Sequence, residues 1–149
     1  MPLDLTALAE AGSPYAVSLG PKVRELGDGQ VVLDLAPPAG LLNHVGGPHA
    51  ATLFGLGETA AAGVVVSVFE DLVEAGAVPL IKGAEISYVS LAMGDVTATA
   101  TFVGDEAGVR ASYAERGVAV FPVEISIATA DGTETSRMRA QMALKAMPR

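Results

Sequence analysis

The most constraining feature of this sequence is a long apolar segment, from Pro48 to about Glu74, with the spacing of an α-helix. Its apolar residues recur three and four positions apart and cover most of the circumference of a helix. A helix that is apolar nearly all round is enclosed on most sides by the rest of its protein. The segment therefore predicts a long central helix, for which Pro48 suits the first position and Gly76 the far end.

One glutamate, Glu58, lies in the middle of this apolar helix. An ionised carboxylate among apolar neighbours is destabilised, and its pKa rises. The turn before the helix, residues 43–49, contains Gly46 and Gly47, and the first helical turn presents free N–H groups. A carboxylate with a raised pKa, together with such donors, has the parts needed for acyl-transfer chemistry. A glutamate that reaches a backbone partner or extends to the surface is the alternative.

The other elements are predicted from alternation of apolar residues and from turn residues. A short helix is expected over Leu3–Ala11 and a polar helix over Glu106–Arg116, and the strands are expected over Ala16–Leu26, Gln30–Ala36, Leu80–Leu91, Asp95–Val103, Val118–Ala130 and Thr133–Lys145. This order predicts an α+β fold in which a curved, mostly antiparallel sheet wraps around one long central helix. A generic α+β sandwich is the alternative. We expect residues 1–149 to form a single domain.

Composition excludes several classes of function. The formal charge of −8 argues against a nucleic-acid partner, because binding phosphates needs a basic face. The absence of cysteine excludes disulfides, thiolate catalysis and Cys-based zinc sites. Two histidines, His44 and His49, have no nearby third ligand, so no metal site is expected. Half of the residues are hydrophobic and only 17% are charged, which favours apolar surface buried between subunits.

The sequence also gives an expectation about location. Its first residues, Met1 to Asp4, lack the basic and apolar regions of a signal peptide. The longest apolar run, Thr59 to Phe69, is too short to span a bilayer. We therefore expect a cytoplasmic protein with no membrane partner.

The segment Asn43–Glu58 carries a resemblance to a known family. It reads Asn-His-Val-Gly-Gly-Pro-His-Ala-Ala-Thr-Leu-Phe-Gly-Leu-Gly-Glu and resembles the hotdog-fold thioesterases. It looks closest to the phenylacetate-type acyl-CoA thioesterases and the DUF4442 branch near them. The family pattern is an Asn, a His six residues on, and an acid nine residues further along the central helix. Asn43, His49 and Glu58 match that spacing, and the resemblance extends from roughly Val17 to Lys145.

The resemblance implies a thioester hydrolase that acts on acyl-CoA, with no cofactor beyond the coenzyme A of the substrate. It implies that Glu58 is the general base or the nucleophile and that the N–H of Ala50 polarises the thioester carbonyl. Asn43 would help to hold the carbonyl or the water, and His49 completes the candidate catalytic set. Further residues expected to contact the substrate are Gly46, Gly47, Ala51, Phe54 and Ala62. The family also implies a homodimer or a homotetramer with active sites at the subunit interface.

Several alternatives stay open at this point. His49 is also suited to capping the helix, and Asn43 in a Gly-rich turn is suited to hydrogen bonds within that turn. The residues His49-Ala50-Ala51 replace the more usual His-Gly-Gly of the family, and Ala62 stands where some relatives have a hydroxyl, one turn after the acid. Both departures favour a non-catalytic acyl or acyl-CoA binding protein as the second hypothesis. A hydratase or dehydratase ranks last, because His49 and Glu58 lie on opposite sides of a helix. Basic residues that are candidates for the CoA phosphates are Lys22, Arg24, Lys82, Arg110 and Arg116.

Overall fold

A six-stranded sheet forms the body of the protein. The computed structural model describes residues 2–148. The strands are β1 Lys22–Gly27, β2 Gln30–Leu35, β3 Ala77–Tyr88, β4 Val96–Phe102, β5 Val118–Thr129 and β6 Glu134–Ala146. Their order in the sheet is β1-β2-β4-β5-β6-β3, and each neighbouring pair is antiparallel. Strands β1 and β3 are therefore the two edges.

One long helix lies against the inner face of this curved sheet. The helices are α1 Leu5–Ala11, α2 Pro14–Leu19, α3 Ala50–Val68, α4 Glu70–Glu74 and α5 Glu106–Arg116, with a 3-10 turn at Ala39–Leu41. Helix α3 packs on the inward side chains of β2, β4, β5 and β6. In β6, for example, Met138, Ala140 and Met142 are buried, whereas Arg139 and Gln141 between them are exposed. The predicted sheet wrapped around one central helix is confirmed.

The central helix is shorter than predicted at both ends. It begins at Ala50 with His49 as its N-cap, so Pro48 lies one residue before the cap instead of at the first helical position. It ends at Val68, because Phe69 leaves the helical conformation (φ −115°, ψ 34°) before α4 starts. The Phe69 ring is fully buried, 5.3 Å from the Phe121 ring. The break between α3 and α4 therefore falls at a residue whose ring lies in the hydrophobic core.

The expected strand over Ala16–Leu26 was wrong in its first part, which is helical. Ser13 caps α2 by accepting a hydrogen bond from the N–H of Ala16 (3.1 Å), and Pro14 occupies the first turn. Gly20 ends the helix in the left-handed region, at φ 78°. The Ser-Pro pair is an N-terminal helix signal, and it outweighed the strand propensity of the residues that follow. The strand itself is limited to Lys22–Gly27.

The edge strand β3 also differs from its prediction of Leu80–Leu91. Gly76 adopts φ 106° after α4, so the chain turns and enters the sheet at once, at Ala77. The strand ends at Tyr88, and the N–H of Val89 then donates to the carbonyl of Thr135 (2.8 Å). The predicted strand was therefore placed three residues too late in the chain.

The whole of helix α3 has the length and composition of a membrane span. The shorter uninterrupted apolar run Thr59–Phe69 did not indicate this. Two thirds of this apolar stretch (67%) is buried within the fold. Its side chains pack against the sheet, so α3 is the core helix of this protein.

Candidate active site

Asn43 organises the loop before the central helix. Its side-chain oxygen accepts hydrogen bonds from the N–H groups of Val45 (2.9 Å) and Gly47 (3.1 Å). Its amide nitrogen donates to the carbonyl of Pro48 (3.5 Å). Gly46 takes φ 89°, which a side chain would strain. The structure thus shows the loop-holding role that was one of the two alternatives for Asn43, and a part in the chemistry stays a prediction.

His49 caps the central helix. Its Nδ1 accepts a hydrogen bond from the N–H of Ala51 (3.0 Å), so the imidazole proton is on Nε2. The carbonyl of His49 accepts from Thr52 and Leu53, and its own N–H donates to the carbonyl of Leu41 (3.0 Å). The capping alternative for His49 is therefore confirmed, and the ring is fixed at the mouth of the helix.

The N–H of Ala50 is the donor that the cap leaves free. Ala50 is the first helical residue, and within residues 2–148 its N–H has no acceptor. The carbonyl of Ala50 accepts a hydrogen bond from the Tyr88 hydroxyl (3.0 Å), which ties the start of the helix to the end of β3. Burial raises the pKa of Tyr88, so this hydroxyl keeps its proton. A free N–H at a helix N-terminus carries partial positive charge and suits a developing oxyanion.

Glu58 lies two turns further along α3, on the wall of a cavity of about 250 Å³. Burial raises the pKa of its carboxyl group above the ordinary 4.5. Among the residues that the structure describes, Glu58 has no hydrogen-bond or ion-pair partner. The alternative of a glutamate held by a backbone group is therefore absent here. A partly buried carboxylate without a partner, with a raised pKa, is suited to accept a proton.

The substrate-contact residues predicted on α3 have different surroundings. Ala62, one turn after Glu58, lines the same cavity. Phe54, one turn before Glu58, is half-buried and packs against the core. Ala51 and Gly46 are exposed, and Gly47 is buried against the backbone of Ala92.

The cavity has a wall that sequence reasoning missed. It is formed by α1 and α2, which contribute Ala9, Gly12 and Ala16. The Tyr15 hydroxyl lies so close to Gly55 that a Cβ there would be 1.9 Å away. A signal for this cover was present, since Gly55 inside a helix predicts a close approach by another group. The sequence did not show which group approaches.

The two parts of the candidate site are separated within one chain. Ala50 and Glu58 are eight residues apart, which is about 12 Å along a helix axis. A thioester carbonyl has to lie within about 3 Å of its oxyanion donor and close to the base. One copy of α3 therefore does not bring both groups to the same thioester.

The basic residues considered for CoA phosphates are mostly paired with carboxylates. Arg24 contacts Asp34 (2.6 Å), and Arg110 contacts Asp71 (2.9 Å). Lys22 lies 3.8 Å from Glu10. Lys82 and Arg116 are exposed and have no carboxylate within 4.0 Å among residues 2–148. Within the same residues, no three His, Asp or Glu side chains are placed to hold a metal ion.

A curved antiparallel sheet around one central helix, with an acid on that helix, defines a hotdog-fold protein. The model of a domain of unknown function, DUF4442, matches residues 4–144, and the chain belongs to this family. Among curated proteins, no sequence matches. The hotdog thioesterase superfamily expected from the sequence is confirmed.

Solved structures give the same fold. The protein PA5026 of Pseudomonas aeruginosa, a probable thioesterase, is 25% identical and superposes with a TM-score of 0.80 over 99% of both chains. A hypothetical thioesterase of Streptococcus pneumoniae with coenzyme A is 18% identical, with a TM-score of 0.68 over 91% of this chain and 94% of that chain. The Escherichia coli PaaI protein of the phenylacetic acid degradation operon is 19% identical, with a TM-score of 0.67 over 88% and 87%.

Proposed function

We propose that this protein hydrolyses acyl-CoA thioesters, with Glu58 as general base or nucleophile and the N–H of Ala50 as oxyanion donor. The observation that carries the proposal is the Glu58 carboxyl group, which lines an apolar cavity with a raised pKa and no partner among residues 2–148. Similar structures described as thioesterases, one of them with coenzyme A, support the choice of a thioester.

In the general-base form of the reaction, Glu58 takes a proton from water while the water oxygen bonds to the thioester carbonyl carbon. The negative charge that develops on the carbonyl oxygen is stabilised by the N–H of Ala50 and the helix dipole. The carbon–sulfur bond then breaks, and the leaving thiolate takes the proton from Glu58 to form the free thiol. In the nucleophile form, the Glu58 carboxylate attacks the carbonyl carbon, the carbon–sulfur bond breaks and the thiolate leaves. Water then adds to the acyl carbon of the resulting anhydride, which releases the carboxylic acid and restores the Glu58 carboxylate, and the proton set free converts the thiolate to the thiol.

The separation of about 12 Å along α3 makes a second copy of the chain part of this proposal. In the proposed arrangement, Ala50 of one copy and Glu58 of another face the same thioester. Strand β3 supports such pairing, because it is an edge strand with exposed Leu80 and Tyr88 side chains. A long edge with unpaired backbone groups is a site for pairing with another strand.

The oligomeric state is tested by light scattering. We expect a dimer or a tetramer at micromolar concentration. A monomer of 15.0 kDa under these conditions would refute the shared site.

The cytoplasmic location expected from the sequence remains a prediction.

Replacement of Glu58 tests the chemistry. Glu58→Gln keeps the shape and removes the base, so kcat on a good acyl-CoA should fall by about 10²–10⁴-fold. Free thiol is measured with a thiol-detecting reagent over a panel of acyl-CoA substrates. Glu115→Gln is the matched control, because Glu115 is an exposed carboxylate of α5. Retention of more than about half of the wild-type kcat by Glu58→Gln would end the assignment.

Replacement of Ala50 tests the oxyanion donor, whose N–H no side-chain change removes. A larger side chain acts by crowding, so Ala50→Val should lower kcat by about 10²–10³-fold without unfolding the protein. Ala50→Gly should preserve or increase kcat. If Ala50→Val were as active as the wild type, the carbonyl would bind elsewhere.

A non-catalytic acyl or acyl-CoA binding protein is the second candidate function. It is favoured by the His49 cap, because the N–H of Ala51 donates to His49 and is not free to bind a carbonyl. Of the two adjacent N–H groups of Ala50 and Ala51, only that of Ala50 is left as a donor. It is also favoured by Ala62, which supplies no hydroxyl one turn after the acid. Binding of acyl-CoA without release of thiol, for every member of the panel, would select this function.

A further inference from the structure

The cavity beside Glu58 is roofed by the first two helices of the chain. Its volume is about 250 Å³. Helices α1 and α2 contribute Ala9, Gly12 and Ala16 to one wall, and α3 contributes Ala62 and Val66 to the opposite wall. These side chains are small and apolar. Apart from Glu58, the polar residues of the lining are Ser13 and Thr59, and the hydroxyl of each is already in a hydrogen bond.

The satisfied hydroxyls determine what the cavity can recognise. The Ser13 hydroxyl accepts from the N–H of Ala16 (3.1 Å), and the Thr59 hydroxyl donates to the carbonyl of Gly55 (2.7 Å). Besides the Glu58 carboxyl, the polar side chains of the lining are these two hydroxyls, and Ser13 keeps an O–H that donates to no acceptor among residues 2–148. A ligand group that fits such a wall is a hydrocarbon with its one polar end at Glu58.

We infer that this cavity is the acyl chamber of the site, and that α1 and α2 thereby set the length of the acyl group. The inference rests on the proposed function, since the thioester carbon has to lie beside Glu58 while the chain points under α1 and α2. Ala16 and Val66 are the residues that determine the chamber's length on its two walls.

The volume gives the size of the acyl group. An apolar protein cavity of about 150 Å³ holds one benzene molecule, which has six carbons. In proportion, a cavity of about 250 Å³ has room for an apolar group of roughly six to ten carbons. A linear chain of that length fits, and so does one six-membered ring with a short linker. Longer chains require the N-terminal helices to move.

Tyr15 covers the turn of the central helix that precedes Glu58. The Tyr15 ring lies on Gly55, three residues before Glu58, and residues three apart are neighbours on a helix surface. The side chain is 49% exposed, so one side of the ring faces solvent. Tyr15 therefore lies on α3 between Glu58 and the helix start that carries the proposed oxyanion donor.

Binding of straight-chain 1-alkanols tests the chamber without any reaction. These probes are neutral and carry one hydroxyl, which can donate to Glu58. Affinity measured by calorimetry should rise about fourfold per methylene from 1-butanol to 1-octanol. It should level off beyond roughly ten carbons, when the chamber is full. An absence of binding, or a steady rise up to 1-tetradecanol, would overturn the inference.

Two substitutions test which residues set the length. Ala16→Leu fills the roof and should shift the best alkanol, and the best acyl-CoA, to a chain two or three carbons shorter. Val66→Ala enlarges the opposite wall and should shift both by one or two carbons in the other direction. Val17→Leu is the matched control, because Val17 is on the same helix as Ala16 but is 62% exposed. Circular dichroism checks that each variant is folded. If a variant fails to fold, the alkanol series on the wild type still tests the chamber.

The two proposals fail in different ways. Alkanol binding with the expected chain-length limit, but no thiol release from any acyl-CoA, would support the chamber and refute the hydrolase. Thiol release with a chain-length preference that neither Ala16→Leu nor Val66→Ala moves would support the hydrolase and refute the chamber.

Discussion

The contact between Tyr15 and Gly55 makes the stability of the N-terminal cover measurable. Replacing a glycine in a helix interior by alanine stabilises the helix by about 1 kcal/mol when there is space for the methyl group. At Gly55 there is none, because the new Cβ would lie 1.9 Å from the Tyr15 hydroxyl and 2.7 Å from its Cζ. We therefore expect the effect of Gly55→Ala to depend on residue 15.

The magnitude follows from the burial of Tyr15. To reach ordinary contact, the hydroxyl has to retreat from 1.9 Å to at least 3.4 Å, and the ring loses its packing on α3. Because the side chain is 49% exposed, that packing amounts to about half of the 1.5–3 kcal/mol typical of a fully buried large side chain. The gain and the loss are similar, so Gly55→Ala alone should change the free energy of unfolding by less than about 0.5 kcal/mol. In a Tyr15→Ala background the same change should stabilise by about 1 kcal/mol.

A double-mutant cycle measures this dependence. The four proteins are wild type, Gly55→Ala, Tyr15→Ala and the double variant, each unfolded in urea at one pH. The coupling free energy should be about 1 kcal/mol, above the 0.3–0.5 kcal/mol within which independent sites add. If the effects of the two substitutions on the free energy of unfolding were additive, Tyr15 would not pack on Gly55. The placement of the N-terminal helices over the Glu58 cavity would then be refuted.

Three further predictions concern α3. Burial raises the pKa of Glu58, so the contribution of its carboxyl group to stability is fully present below about pH 4.5 and is lost as the pH rises through the folded-state pKa. Glu58→Gln should therefore gain stability relative to wild type between pH 4 and pH 8. If the two proteins differed in free energy of unfolding by the same amount at both pH values, measured in urea, the raised pKa would be contradicted. His49→Ala should lower the free energy of unfolding by about 1 kcal/mol, seen as a lower Tm, whereas His49→Asn should keep the cap. Gly57→Ala should destabilise by about 1 kcal/mol in the same assay, because its Cβ would lie 2.8 Å from Met138 Sδ in a packed core.

The fold was predictable because its periodicities are long. Buried and exposed residues alternate in β6 from Ser136 to Met142, and the helical pattern of α3 extends over 19 residues, so the apolar face of each element is unambiguous. The helical period of the sequence continues through α3 to Leu72 in α4, so the periodicity did not reveal the break at Phe69. The Phe69 ring at that break contacts Phe102 and Phe121, which lie far away in the sequence and meet it only in the folded chain.

The short N-terminal elements were harder to predict for a local reason. Helix α2 has six residues, fewer than two turns, so apolar spacing says little about it. Its identity depends on Ser13 and Pro14, which cap the start of α2 but, as turn residues, equally suit the end of α1. The edge strand β3 was misplaced at its end because the alternation of apolar residues continues beyond Tyr88, whereas the regular pairing with β6 ends at Tyr88, opposite Ser136.

The candidate site divides in the same way between local and non-local residues. A motif can be recognised in the sequence when its residues lie on one segment of the chain. Asn43, His49 and Glu58 do so, on the loop and the central helix. The roof over Glu58 comes from α1 and α2, more than forty positions earlier, and small residues such as Gly12 and Ala16 give no chemical signal in the sequence. Their effect appears only in the packed chain, where they leave the space that an acyl group needs. Because the same small residues desolvate Glu58 and limit the chamber, substitutions that change chain-length preference should also change the pH dependence of turnover.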